Sequence, residues 1–159
     1  GNLSLSDNYN LIIDLLSNDL KDCQHKIIIA GKNPNSFLKD FLHGKMNIEL
    51  VENPTQNKMH RLIQEAQICL ALAANPSGVK LKLINSLFNA RYVISDDTTL
   101  TGSGLDALVY KKDNVDLIAL IDDLMQQSFT QNEIDLRKKL LLEKYDNLKN
   151  AQQIINSFV

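Results

Sequence analysis

The chain has 159 residues, 44% of them hydrophobic, and a formal net charge of −2. That length predicts one domain, 1–159, with an ordinary globular core, and the near-neutral charge gives no overall drive toward nucleic acid or an anionic membrane. No apolar run is long enough to span a bilayer, and the opening GNLSLSDNYN does not read as a signal peptide.

Gly1 to Leu5 fits the tail of a strand running into a turn. Ser6 or Asp7 then caps a helix whose apolar face is Leu11, Ile12, Leu15, Leu16 and Leu20. Lys26 to Ala30 is an unbroken apolar, β-branched run after its lysine, which predicts a strand buried on both faces. Gly31 to Asn35 is a turn, and Ser36 to His43 a short helix with Phe37, Leu38, Phe41 and Leu42 inward, ended by Gly44. Ile48 to Val51 is the next strand, broken by Asn53-Pro54. Thr55 caps a helix with Met59, Leu62, Ile63 and Ala66 inward. Ile68 to Ala73 is another apolar strand.

The loop Ala74 to Gly78 leads into an amphipathic helix over Val79 to Asn89, followed by a strand over Arg91 to Ser95. Asp96 to Gly104 is a polar loop and Ala107 to Tyr110 a last short strand. Asp113 caps a helix carrying Val115, Leu117, Ile118, Ile121 and Leu124. Thr130-Gln131-Asn132-Glu133 is a capping box opening a helix through Lys144, and Asp146 to Phe158 is a final amphipathic helix. Strands and helices alternate with short connections. The pattern predicts an α/β fold, a Rossmann-like doubly wound parallel sheet of about five to six strands with C-terminal helices.

In such sheets ligands bind beyond the carboxyl ends of the strands. Around Gly78, Lys80 and Lys82, a glycine turn and two lysines at a helix start suit a negatively charged ligand. Spaced by two, the lysines point to different sides of the helix; the plainer alternative is a pair of solvated surface lysines. Asn85, further along the helix, offers an amide to a diol or a base edge, or is an ordinary surface residue. Lys32 follows a strand directly and reaches the same crevice, or is a turn lysine. Thr101-Gly102-Ser103-Gly104 offers backbone N–H groups to a phosphate, or is a connecting loop. Cys23 and Cys69 lack metal-ligand spacing and read as two thiols of a reducing compartment. His43 and His60 read as exposed helix residues, and no metal site is expected. No glycine fingerprint, P-loop or nucleophile elbow is present, which leaves a nicotinamide-dependent enzyme a remote reading. From these residues alone the chain is a nucleotide- or anion-binding domain with no visible catalytic machinery.

The ordered pieces GNLS, KIIIAGKNP, NIELVENP, MHRLIQEAQICLALA, SGVKLKLINSLFNARYVIS and TLTGSGL resemble the C-terminal, donor-binding half of a GT-B glycosyltransferase of the family 4, or group 1, type. The resemblance spans roughly Gly1 to Tyr110. It implies that Lys32, Gly78, Lys80, Lys82 and Asn85, with Gly102, bind the nucleotide-diphosphate sugar donor, which is a substrate; no cofactor is implied. It implies a cytoplasmic, bacterial enzyme of polysaccharide biosynthesis, at the inner face of the membrane if peripherally associated, that transfers a sugar to a polysaccharide or glycolipid acceptor. The family's two glutamates, with seven residues between them, fall here on Ser77 and Asn85, so neither is present. A non-catalytic Rossmann-like binding module that has lost donor chemistry is therefore the alternative. The resemblance also implies an N-terminal acceptor domain ahead of this one as partner, and a first strand beginning before Gly1. On that expectation the chain is a piece of a longer enzyme, with no transferase activity of its own and with Ile155 and Phe158 partly exposed.

Overall fold

The computed structural model describes residues 1–158. These form two compact units, Gly1–Gln127 and the segment from Ser128 onward. The first unit is mixed α/β. Its elements run α1 (Ser6–Ser17), β1 (Ile27–Gly31), α2 (Ser36–Leu42), β2 (Ile48–Glu52), α3 (Gln56–Glu65), β3 (Ile68–Ala71), α4 (Leu81–Asn89), β4 (Tyr92–Ser95), α5 (Asp97–Leu100), β5 (Tyr110–Lys111) and α6 (Leu117–Gln126), with a 3-10 turn at Asp106–Leu108. The second holds α7 (Gln131–Tyr145) and α8 (Asn147–Asn156). No helix among the described residues is long and apolar enough to cross a membrane.

The strands are parallel, but they fall into two sheets: β1 with β2, and β3–β4–β5. This corrects the expected single sheet. An apolar run reports that both faces of a strand are covered and is silent on which edges are paired. Ile27 pairs with Ile48 in the first sheet, Ile68 with Tyr92 in the second, and Ile94 with Tyr110 at its far side. A single parallel bridge, Asn2 to Lys32, joins the amino-terminal segment to the end of β1.

Local chemistry explains most boundaries. Asn35 accepts from the Leu38 N–H and caps α2, and Thr55 accepts from the Lys58 N–H and caps α3. Thr130 and Glu133 close the capping box of α7 as expected. α1 begins behind Leu5 with no side-chain cap, so neither Ser6 nor Asp7 plays that part. α6 is capped by Asp116, which accepts from Ile118 and Ala119; Asp113 instead accepts from the Asp97 N–H, and Val115 is left exposed ahead of the helix. The strand expected at Ala107–Tyr110 is the 3-10 turn followed by the two-residue β5. Phe37, expected inward, is 61% exposed and meets Tyr9 edge-on at 6.1 Å, while Leu38 and Leu42 of the same helix are buried. Met59, Leu62 and Ile63 of α3 are only half-buried.

The densest core surrounds β4, where Tyr92, Val93, Ile94 and Ser95 are all buried, with Leu83 and Leu87 of α4 and Leu124 of α6 also fully enclosed. In α8, Leu148, Ile154 and Ile155 are exposed, as is Phe158 just past its end. Neither cysteine forms a disulfide.

Candidate functional site at the carboxyl ends of β1 and β3

α4 begins at Leu81, two residues later than its periodicity suggests, and Lys80 is its N-cap without a side-chain cap of its own. Gly78 lies upstream in an exposed loop at φ +62°, a conformation that favours glycine. A Cβ there would meet nothing within 4 Å, so the turn's conformation and not crowding calls for glycine. Lys80 folds back into that loop: its ammonium donates to Asn75 Oδ1 at 3.0 Å and to the Ser77 carbonyl. Ser77 donates its own hydroxyl to Asn75 Oδ1 at 2.7 Å.

Lys82 turns the other way, as the two-residue spacing requires. Its ammonium donates to the Leu72 carbonyl just beyond β3. Lys82 is exposed as a whole, yet its ammonium is drawn in far enough that burial pushes its pKa below the usual lysine value. The Asp96 carboxylate opposes that shift and the Lys80 charge adds to it. Asp96 is itself buried, capping α5 by accepting from the Thr99 N–H at 2.7 Å. Asn85, one helical turn after Lys82 and on the same face, lines with it a groove bordered by β1 and β3.

Lys32 is exposed at the end of β1. Its N–H donates to the Gly1 carbonyl at 2.9 Å, and its carbonyl accepts from Leu3 at 2.7 Å. The Gly1 amino group has its pKa lowered, first by burial and then by the Lys82 charge. Gly1 and Lys82 line the same groove, Gly1 bonded to the end of β1 and Lys82 to the residue just beyond β3. Lys82 and Asn85 line one groove; Lys32 stands exposed at the end of β1, and Lys80 and Gly78 lie on the loop ahead of α4.

Gly102 lies elsewhere, exposed in the turn after α5, and no described contact joins it to the others. The Thr101–Gly104 loop is internally tied rather than open. Ser103 is buried, donates to the Leu100 carbonyl at 2.8 Å and accepts from the Leu105 N–H, while Thr101 donates to the Asp97 carbonyl.

Two participants were not singled out from the sequence: Asp96 beside Lys82, and the Leu72 carbonyl that holds it. Asp96 carried a readable signal, an acid placed directly after an apolar strand and three residues before Thr99. The carbonyl carried none, because backbone groups look alike in any sequence. Compared with family models, curated proteins and solved structures, the chain matched none.

Proposed function

We propose that this chain is the donor-binding half of a GT-B-type glycosyltransferase, its sheets forming a Rossmann-like, doubly wound domain that holds a nucleotide-diphosphate sugar at the margin around Lys82. The observation that carries this reading is the Lys82 ammonium itself. It is partly desolvated, donates among the described residues to a backbone carbonyl and to no side chain, and lies in the first turn of α4 beside the carboxyl ends of two parallel strands. A diphosphate offers that cation a stronger, charge-assisted acceptor, and the uncapped N–H groups at the start of α4 add to the field. Asn85 borders the same groove, Lys32 is exposed just past β1, and the ordered sequence pieces described above point to the same family.

In the transfer, the bond from the anomeric carbon to the diphosphate oxygen breaks and its electron pair leaves with the diphosphate. The acceptor hydroxyl forms the new glycosidic bond and gives up its proton. The share assigned to this chain is to position the donor and to stabilise the charge growing on the leaving group, through Lys82 and the start of α4. Cytoplasmic action on a polysaccharide or glycolipid acceptor, beside an acceptor domain, belongs to the same proposal.

Ser77 favours a second reading, a binding module without transfer chemistry. It lies in an exposed turn with its hydroxyl closed onto Asn75, and supplies no carboxylate where the family has one. Calorimetric or NMR titration with UDP, GDP and their sugars tests the binding claim, in the native chain and in Lys82→Ala. Saturable binding that requires the diphosphate, weakened about 10- to 100-fold by Lys82→Ala, is expected for a lost charge-assisted contact. Absence of binding at millimolar nucleotide would sink the donor-site reading. Binding without hydrolysis or transfer of any sugar, once an acceptor domain is supplied, would select the module.

A further inference from the structure

β1 and β3 face each other across an apolar groove of about 650 Å³. Both strands are held at both ends. At their amino ends, His25 meets Asp122 of α6 at 2.6 Å, while the Gln67 amide donates to the Leu124 and Gln127 carbonyls at 3.3 and 3.0 Å. At their carboxyl ends Gly1 bonds to Lys32 and Lys82 bonds to Leu72, and Gly1 and Lys82 both line the groove. The two strands therefore run in the same direction on either side of the groove.

Their backbone groups are aimed into it. Ile27 N–H donates to Asn47 and the Gly31 carbonyl accepts from Asn53, so alternate residues of β1 bond toward β2. Ile28 and Ala30, in between, face the groove, on the side where Lys32 already bonds to Gly1 and Leu3. In β3 the Gln67 carbonyl accepts from Tyr92, which turns Cys69 and Ala71 toward β4 and Ile68 and Leu70 toward the groove. The Leu72 carbonyl lies on the groove side, and it is the one Lys82 covers.

The outer edges are built differently. β2 carries Glu49 and Glu52, paired with Lys26 and Lys39 at 2.6 Å each, and the two-residue β5 carries Lys111 between Asp97 and Asp106. Short strands and charges are how free edges are protected from pairing. The groove edges, Ile27–Ala30 and Ile68–Ala71, have no such protection.

We propose that this groove is a slot for one β-strand, parallel to β1 and β3 and continuous with Gly1, which joins the two sheets into one. The Asn2–Lys32 bridge sets its register: Gly1 stands opposite Gly31, and the four residues joined ahead of it stand opposite Ala30, Ile29, Ile28 and Ile27. Gly31 is shaped for that passage, since a Cβ there would lie 2.6 Å from both the Gly1 carbonyl oxygen and Leu3 Cγ. The occupant is apolar on both faces, because Leu11 of α1, Ile63 of α3 and Ile121 of α6 line the groove. This inference stands apart from the ligand proposed above.

The test appends Val-Ile-Val-Ile directly ahead of Gly1. Controls of the same length are Gly-Ser-Gly-Ser and Val-Pro-Val-Pro, the latter lacking alternate donors. Hydrogen exchange reads the amides of Ile28, Ala30, Ile68 and Leu70 at concentrations where each protein sediments as a monomer. Relative to the Gly-Ser protein, the Val-Ile extension is expected to slow exchange at these amides about 100-fold and to raise Tm by about 5 °C or more, and the Val-Pro extension to do neither. Equal exchange in all three proteins overturns the proposal. So does protection of the same amides in the unextended chain that grows with protein concentration, since a second copy would then be the occupant.

Discussion

β1 and β4 are nearly interchangeable as text, Ile-Ile-Ile-Ala-Gly against Tyr-Val-Ile-Ser, and they live in different surroundings. β4 is paired on both sides and every residue in it is buried. β1 is paired along its length on one side only, and Ile28, its second residue, is 42% exposed. Apolar content measures how well helices cover a strand's faces; strand neighbours are a separate matter. Where the two disagree, as in β1 and β3, the sheet has an apolar edge that its own sequence does not protect.

The largest effect that tests this contrast comes from truncating equivalent side chains in the two strands. Ile94→Ala in β4 is expected to cost about 4 kcal/mol and Ile28→Ala in β1 about 1 kcal/mol, measured as shifts in urea midpoint at constant m-value. Equal losses would mean that β1 is as well packed as β4, and the contrast would collapse. Next in size is Gly31→Ala. The added methyl collides with Gly1 and Leu3 and should cost about 2 kcal/mol. That penalty should vanish in a chain lacking Gly1, Asn2 and Leu3; a penalty that survives the deletion would place the collision elsewhere.

Asp116→Ala is expected to remove about 1 kcal/mol by leaving the Ile118 and Ala119 N–H groups uncapped. Because Asp122 and Leu124 of α6, with Gln127 just past it, hold the residues ahead of β1 and β3, exchange at Ile28 and Ile68 should quicken more than at Val93. Uniform quickening would show that α6 supports β4 equally.

The smallest effect is a slope with pH. Lys82 has a folded pKa below its ordinary 10.5, so between the two values the unfolded chain binds more protons than the folded one. Stability therefore rises with pH across that window, and the cost of charging Lys82 in the fold is fully present below it. Lys82→Met should flatten the rise, followed by urea midpoints between pH 7 and 10. A slope unchanged by the substitution would show that the ammonium is not desolvated.

Local signals were legible wherever one residue decides the outcome. Thr55 and Thr130 cap the helices they precede, because a side-chain oxygen bonding an N–H three residues on is a purely local event. Asp113 and Asp116 could each serve one helix start, and the choice depends on the Asp97 N–H, sixteen residues away in the chain, which takes Asp113. Ser103 looked like part of an open hydroxyl-rich loop; its burial depends on contacts that the sequence does not display. The opposed directions of Lys80 and Lys82 followed from helix geometry alone. Which of them feels the charge of a buried carboxylate did not, since Asp96 follows β4 and acts on Lys82 only through the packing of β4 beside β3.

The parallel pairing of β1 with β2 and of β3 with β4 also shapes how the chain comes together in time. Ile27 waits for Ile48 and Ile68 for Tyr92, each across an intervening helix, so no strand pair can be seeded by a tight turn. Closing those loops costs entropy before any ladder bond repays it, which makes assembly slow relative to helix formation. Throughout that interval the Ile-rich edge of β1 is open to any extended chain it meets, and the same edge that defines the groove is where refolding at high concentration would go astray.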